Sequence, residues 1–289
     1  MDAVAANRWR ARARTGSPWL HEEVASRMVQ RLPWFREKPA SWLHWEPVNG
    51  GLQGHRKLGE YLPQARCHVS AMNLPQALEA TRDPAKTFWK TAPWVRNRQP
   101  MAPAPDTRVA MLWANMALHL EPMPQALLRR WSDRIAVNGF LMFSCLGPDS
   151  LRELRQVYRQ VGWPEPAHAF TDMHDWGDML VHSGFAEPVM DMERITLSYS
   201  GAPTLLADLR DLGRNLQVDR FRALRGHRWR DRLMAEIEAG LPRDQDGRLL
   251  LTFEIIYGHA FKPQPRSAAG GSQSVPVDKM RAMLRATRR

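Results

Sequence analysis

The stretch Gly139–Arg155, GFLMFSCLGPDSLRELR, decides the fold. Seven apolar or small residues run without alternation from Phe140 to Leu146, the pattern of a strand buried on both faces. Gly147 and Pro148 end that strand, and SLRELRQVYRQVG after them has the spacing of an amphipathic helix. Upstream, RVAMLWANMALHL (108–120) is a second apolar run. Between the two, PMPQALLRRWSDRI (122–135) presents Ala126, Leu127, Leu128 and Trp131 on one helical face. Strand, helix and strand at this spacing predict a parallel crossover unit.

Working outward, FTDMHDWGDMLVHSGF (170–185) predicts a helix capped by Thr171 or Asp172, faced by Trp176, Met179 and Leu180, and ended at Gly184. Two more strands are legible, PVMDMERITLSYS (188–200) and RLLLTFEIIYGHAFKP (248–263), with a basic helical stretch between them. On the N-terminal side, SPWLHEEVASRMVQRL (17–32) predicts a helix with Ser17 as its cap and Leu20, Val24 and Met28 on its apolar face. Residues 83–108 carry five prolines and no period, which predicts a loop or a rewired sheet edge. KPQPRSAAGGSQSVP (262–276) reads as a flexible linker before a short basic tail. The expected organisation is a basic arm over 1–16, one large domain over 17–263 with a helical insertion at about 203–241, and a disordered segment over 264–289.

The 289 residues include 41 Lys and Arg against 30 Asp and Glu, a formal charge of +11. Such a surface suits an acidic partner, whether a protein, a nucleic acid or an anionic membrane. Cys67 and Cys145, each inside an apolar run, are expected to be buried free thiols rather than a disulfide. No segment has the length and hydropathy of a membrane-spanning helix, and a cytoplasmic location is expected. The alternating arginines of RWRARAR (8–14) read first as a solvated, frayed arm and second as a hook for a polyanion.

The segments LWANMALHL, FLMFSCLGPDSLRELRQVY, FTDMHDWGDMLVHSGFAEPVMDMERITLSY, LLADLRDLGRN and LLTFEIIYGHAFKP, in that order from Leu112 to Pro263, resemble the malonyl-acyl-carrier-protein O-methyltransferases of biotin synthesis. That resemblance implies an α/β class I methyltransferase fold, Rossmann-like, with a seven-stranded sheet and helical additions. It implies S-adenosylmethionine at the carboxyl ends of the first strands and a substrate presented by an acidic acyl carrier protein.

The donor half departs from the same pattern. The family's first strand ends in an acid followed by a loop of the D-x-G-x-G-x-G kind. Here HWEPVNGGLQGH (44–55) places His44 at the acid and Glu46 and Val48 at the first two glycines, so that only Gly50 fits. The ribose-binding acid after the second strand falls at Met72 or Asn73. The third acid should fall in TFWKTAPW (87–94), which has none, and the aspartate before LWAN is replaced by Val109, Ala110 and Met111. Each lost hydrogen bond to a ribose weakens binding by about 1 kcal/mol, more where a buried partner is orphaned.

The positions left for cofactor contact are Gly50, Gly51, Met72 and Asn115. Partner contact is expected from the arginines of the insertion, Arg210, Arg214, Arg220, Arg222 and Arg225, with Arg228, Arg230 and Arg232 beside them. No catalytic nucleophile is identified, and His119 reads as a core or rim histidine. His168, Asp172, His174, Asp175, Asp178 and His182 have one or two i, i+4 pairs of metal-ligand type, but acids at a helix start read better as caps, and no metal is expected. The expectation is a homologue with lost or weakened S-adenosylmethionine binding that takes an acidic partner or an acyl-type ligand. The alternatives are an active S-adenosylmethionine-dependent O-methyltransferase acting on a carrier-bound acyl carboxylate and, third, a basic nucleic-acid binder.

Overall fold

A computed structural model describes residues 1–12, 14–82, 99–221, 223 and 225–265. The crossover expected around Gly139 is present. Strand β3 (Val109–Ala114) leads to a helix over Pro124–Arg134, which passes directly into β4 (Ile135–Leu146). β3 and β4 pair in parallel, with Leu112 opposite Leu141 and Trp113 opposite Met142. The pairing slips by a bulge between Val109 and Met111. Gly139 permits that slip, because a Cβ there would meet the Ala110 and Ala136 carbonyl oxygens at 2.7 and 2.9 Å.

Before this unit lie β1 (Ser41–Trp45) and β2 (Arg66–Ser70); after it lie β5 (Ala186–Tyr199) and β6 (Leu249–Phe261). The sheet order is β2-β1-β3-β4-β6-β5, parallel except for β6, which runs antiparallel to both neighbours. Among the described residues the sheet therefore has six strands, one fewer than expected. Outside β2, the described residues make one parallel bridge at Met101, whose carbonyl accepts from Val69 N at 2.9 Å and whose amide donates to Cys67 O at 3.3 Å. Pro100 precedes Met101 and Pro103 and Pro105 follow it, and residues without an N–H cannot extend a ladder. Of the segment read as a loop or rewired edge, the described residues contribute this one bridge; residues 83–98 lie outside the described residues.

Two apolar layers cover the sheet. Trp42, Met111, Trp113, Phe140 and Met142 point to one face, while Leu43, Leu112, Ala114, Leu141 and Phe143 point to the other. The first face is covered by α2 (Trp19–Arg31), a short turn α3 (Pro47–Gly50), α4 (Leu52–Tyr61), α5 (Leu74–Thr81), α7 (Arg152–Gln160) and the two helices between the last strands, α9 (Ala202–Leu212) and α10 (His227–Gly240). The second is covered by α6 (Pro124–Arg134) and α8 (Met173–His182). Asp172 caps α8 by accepting from His174 N at 2.8 Å, and Trp176 and Leu180 are buried from it, as the spacing predicts. Cys67 and Cys145 are buried and free.

Two N-terminal expectations change. Ser17 does not cap α2. Pro18 stays extended at ψ 143°, the helix starts at Trp19, and the Ser17 hydroxyl crosses to accept from Leu52 N at 2.9 Å. The arginine arm is not frayed: Asp2 accepts from Ala5 N, and Ala3–Arg10 form α1, with Ala6 and Trp9 buried against Leu120 and Leu216. The linker and tail from residue 266 onward lie outside the described residues, and no described helix is long and apolar enough to cross a membrane.

Candidate functional site

In a parallel crossover fold the ligand crevice lies beyond the carboxyl ends of the central strands. β1 ends at Trp45, and the chain then turns through Glu46 at φ +52°, where a side chain is strained. Pro47–Gly50 form one helical turn, and Gly51, at φ +119°, starts α4. The glycines here admit a helix rather than a ligand. A Cβ on Gly54 would stand 2.4 Å from the Ala25 Cβ, and one on Gly51 3.0 Å from the same atom. HWEPVNGGLQGH is therefore the seat of α2.

The first amides of α4 are also taken. Leu52 N donates to Ser17 Oγ, and Gln53 N and Gly54 N donate to the Glu22 carboxylate at 3.0 to 3.1 Å. Free N–H groups and the positive end of the macrodipole make a helix start an anion site. Here the anion is the chain's own Glu22.

At the end of β2, Met72 N donates to Glu46 Oε1 at 2.7 Å, while the Met72 side chain is half exposed. Asn73 caps α5 by accepting from Gln76 N. Glu46 is the carboxylate that spans β1 and β2. Burial raises its pKa, against the pull of the Met72 amide and of the Arg10 and Arg130 charges.

The crevice itself is occupied from the N-terminus. Trp9, Arg10, Arg12 and Arg14 line it opposite Trp45, Glu46, Asn49 and Asn73, and about 50 Å³ remains between them. Sites that enclose a small molecule usually measure about 300–1,000 Å³. The plug is anchored on several sides: Arg10 pairs with Glu121, Asp2 with Arg220 at 2.7 Å, Arg14 donates to Asp211 O at 2.8 Å, and Gln76 donates to Arg14 O at 2.5 Å.

Asn115, expected to face the crevice, is wholly buried behind it. Its amide nitrogen donates to His21 O and Gly50 O, and its oxygen accepts from Ser144 Oγ at 2.6 Å. It ties α2, the turn after β1 and β4 together. Around it lies a layer of buried histidines. His44 and His55 face each other with Nδ1 atoms 3.0 Å apart, and His21 Nδ1 meets Asn49 O at 2.7 Å. Burial drives the pKa of His21 down to about 4 and those of His44 and His119 well below the ordinary value. None of these groups is placed as a free acid or base in the crevice. A nucleoside sulfonium needs close backbone approach, free helix amides and a carboxylate for its ribose; the residues at Gly50, Gly51, Met72 and Asn115 do not fit those needs.

The insertion arginines separate into two kinds. Arg210 and Arg214 are exposed at the end of α9. Arg214 stacks on Trp9 together with Arg12 and Arg14, at 4.7, 5.7 and 4.4 Å from the ring centroid. Arg220 is held by Asp2, and Arg225 stacks on Phe221 and Trp229 at 4.6 and 4.0 Å. Arg222 lies outside the described residues. Of the acids and histidines weighed as metal ligands, Asp172 and His174 are joined in the helix cap at 2.7 Å, and His182 Nδ1 meets Asp178 O. Sequence reasoning missed the plug. Its signal was Asp2 as a cap with Ala6 and Trp9 on one helical face, masked by the alternating arginines.

The chain matches no known family model. Among curated proteins, it is 38% identical over 264 residues to the malonyl-[acyl-carrier protein] O-methyltransferase of Laribacter hongkongensis, spanning 86% of this chain and 84% of that one. It is 35% identical over 260 residues to the protein of the same name from Gallionella capsiferriformans, spanning 88% and 87%. Of solved structures, a candidate methyltransferase of Bacillus halodurans superposes with a TM-score of 0.51 at 14% identity, over 84% of this chain and all of that one. The YcgJ protein of Bacillus subtilis gives 0.53 at 11% identity, over 83% of this chain and all of that one. These two show the fold, a class I methyltransferase α/β sheet.

Proposed function

The chain belongs to the malonyl-[acyl-carrier protein] O-methyltransferase family, and from that premise we propose that this member has given up S-adenosylmethionine and acts as a non-catalytic homologue that docks an acidic acyl carrier protein. One observation carries the reading: the crevice at the carboxyl ends of β1, β2 and β3 is walled by Trp9 and three arginines of the same chain, which leave about 50 Å³ in it. Glu22 on the α4 amides supports it, because an incoming carboxylate would have to displace a carboxylate already in place.

Docking follows from the rim. Arg210 on α9, Arg214 just past its end, and Arg12 and Arg14 beside Trp9 make a cationic edge around the crevice. Such an edge steers a negatively charged protein by its field and fixes its orientation more than it deepens affinity. Arg220 and Arg225, held by Asp2 and by aromatic rings, shape that edge from behind.

Titration calorimetry with S-adenosylmethionine and S-adenosylhomocysteine tests the reading. Silence is expected. One-to-one heat with a micromolar dissociation constant, a binding free energy of about −8 kcal/mol, would return the chain to the working enzymes.

A further inference from the structure

A second cavity lies on the far side of Leu120 from the plug, and nothing described so far uses it. Its walls are the carboxyl end of β4 and the start of α7 (Leu146, Leu151, Leu154), the inner face of α9 (Leu209, Leu212) and Phe253 of β6. It holds about 100 Å³. An apolar cavity of about 150 Å³ admits a benzene ring, so this one has room for a chain of about four heavy atoms. Charge is confined to the entrance: Arg214, exposed, donates to the Arg210 and Gly213 carbonyls there. Asn215 beside it is committed to Glu165 O.

We propose that this cavity binds a short, uncharged acyl chain carried as a thioester, with the thioester end at Arg214 and the chain among the leucines. The inference rests on the reading that the chain docks an acyl carrier, and it adds which acyl group the carrier brings. A malonyl group has about the right length but ends in a carboxylate, and an unpaired carboxylate among leucines and phenylalanine is strongly disfavoured. Among the described residues of the lining, no cationic side chain stands inside the cavity to pair with it. His119 accepts from Leu146 N and His168 donates to His119 O, both held neutral by burial, and Arg155 is turned away to Glu165 and the Ala167 and His168 carbonyls. The cavity therefore selects against the charged substrate named for the relatives.

Calorimetry on the full chain with S-butyryl-pantetheine and S-malonyl-pantetheine reads the cavity without a carrier protein. The butyryl thioester is expected to bind one to one, at least tenfold tighter than the malonyl one. Gly213→Leu is expected to weaken it at least tenfold at unchanged melting temperature, since Gly213 is extended and its Cβ position is open as far as Leu120 Cδ2 at 3.9 Å. Leu209→Trp, one helical turn earlier on the same wall, is the second filling variant. Equal or tighter malonyl binding, no butyryl heat, or butyryl binding indifferent to both variants overturns the proposal. Retention of unacylated holo carrier protein on the immobilised chain is scored separately. Butyryl binding without that retention removes the docking reading and leaves the cavity standing, and retention without butyryl binding does the reverse.

Discussion

The guanidinium carbon of Arg214 lies 4.7 Å from the centroid of the Trp9 ring, joining a helix at the chain's start to one inserted between its last two strands. Arg14 stacks on the same ring at 4.4 Å. Trp9→Ala removes the ring on which both rest and the largest buried side chain of α1. Because α1 touches the rest through a small separate cluster, the change should loosen the helix without unfolding the sheet. Hydrogen exchange is expected to accelerate by about tenfold or more at residues 3–10, with β3 and β4 unchanged. Equal acceleration in the sheet would show that α1 is part of the global core.

Glu22 and Gly54 join α2 to α4, the Gly54 amide donating to the Glu22 carboxylate at 3.1 Å. Glu22→Ala leaves two helix amides unpaired and should cost about 1–2 kcal/mol in denaturant unfolding. Gly54→Ala drives a methyl to 2.4 Å from the Ala25 Cβ and should cost about 1–3 kcal/mol. Adding Ala25→Gly is expected to recover most of the second loss, because the clash then has no partner. If Gly54→Ala alone is neutral, the close seat of α2 is not as described.

Acid should destabilise the fold before it titrates ordinary carboxylates. His21, His44 and His119 have folded pKa values below the 6.5 of a free histidine, His21 near 4. The unfolded chain therefore takes protons first as the pH falls. Stability is complete above about pH 6.5 and is lost as the pH drops toward the folded values. His21 alone accounts for on the order of 3 kcal/mol across that window. Urea unfolding at a series of pH values should show a plateau at neutral pH and a steep fall below it, flattened in His21→Asn. A stability maximum near pH 5 would contradict buried, neutral rings.

Reversing charge at the rim should act through salt. Arg210→Glu places an acid on an exposed turn with no described partner role in the core, so melting should be unchanged. Retention of an acidic carrier protein is expected to fall about tenfold at low ionic strength, with the difference shrinking as salt screens the field. Retention that is insensitive to both would place docking elsewhere.

The unbroken apolar run at Phe140–Leu146 could form only a strand covered on both faces, and the helices flanking it were equally plain, so the crossover and the two long C-terminal strands were legible from the residues. The sixth-strand limit was not, because five prolines say that a ladder is hard to extend but not that one bridge at Met101 survives. By residue type, Gly50 and Gly51 read as remnants of a cofactor loop. The use of Gly51 and Gly54, admitting Ala25 and Glu22, depends on a helix whose approach no local pattern records. Trp9 was hidden for a similar reason: an eight-residue helix is not stable on its own, and what orders it is Asp2 meeting Arg220 and Arg10 meeting Glu121, far away in sequence.

The chain departs β5 at Tyr199 and rejoins the sheet at Leu249, directly opposite, so the intervening helices hang from two neighbouring points of one ladder. Closing a longer or shorter excursion between such points changes stability only slowly, by about 0.6 kcal/mol per doubling of length. The segment is in effect a cassette. Chimaeras that exchange residues 200–248 with the corresponding piece of a relative should fold on the same sheet, which makes this the place where evolution can graft a new clientele onto an unaltered frame.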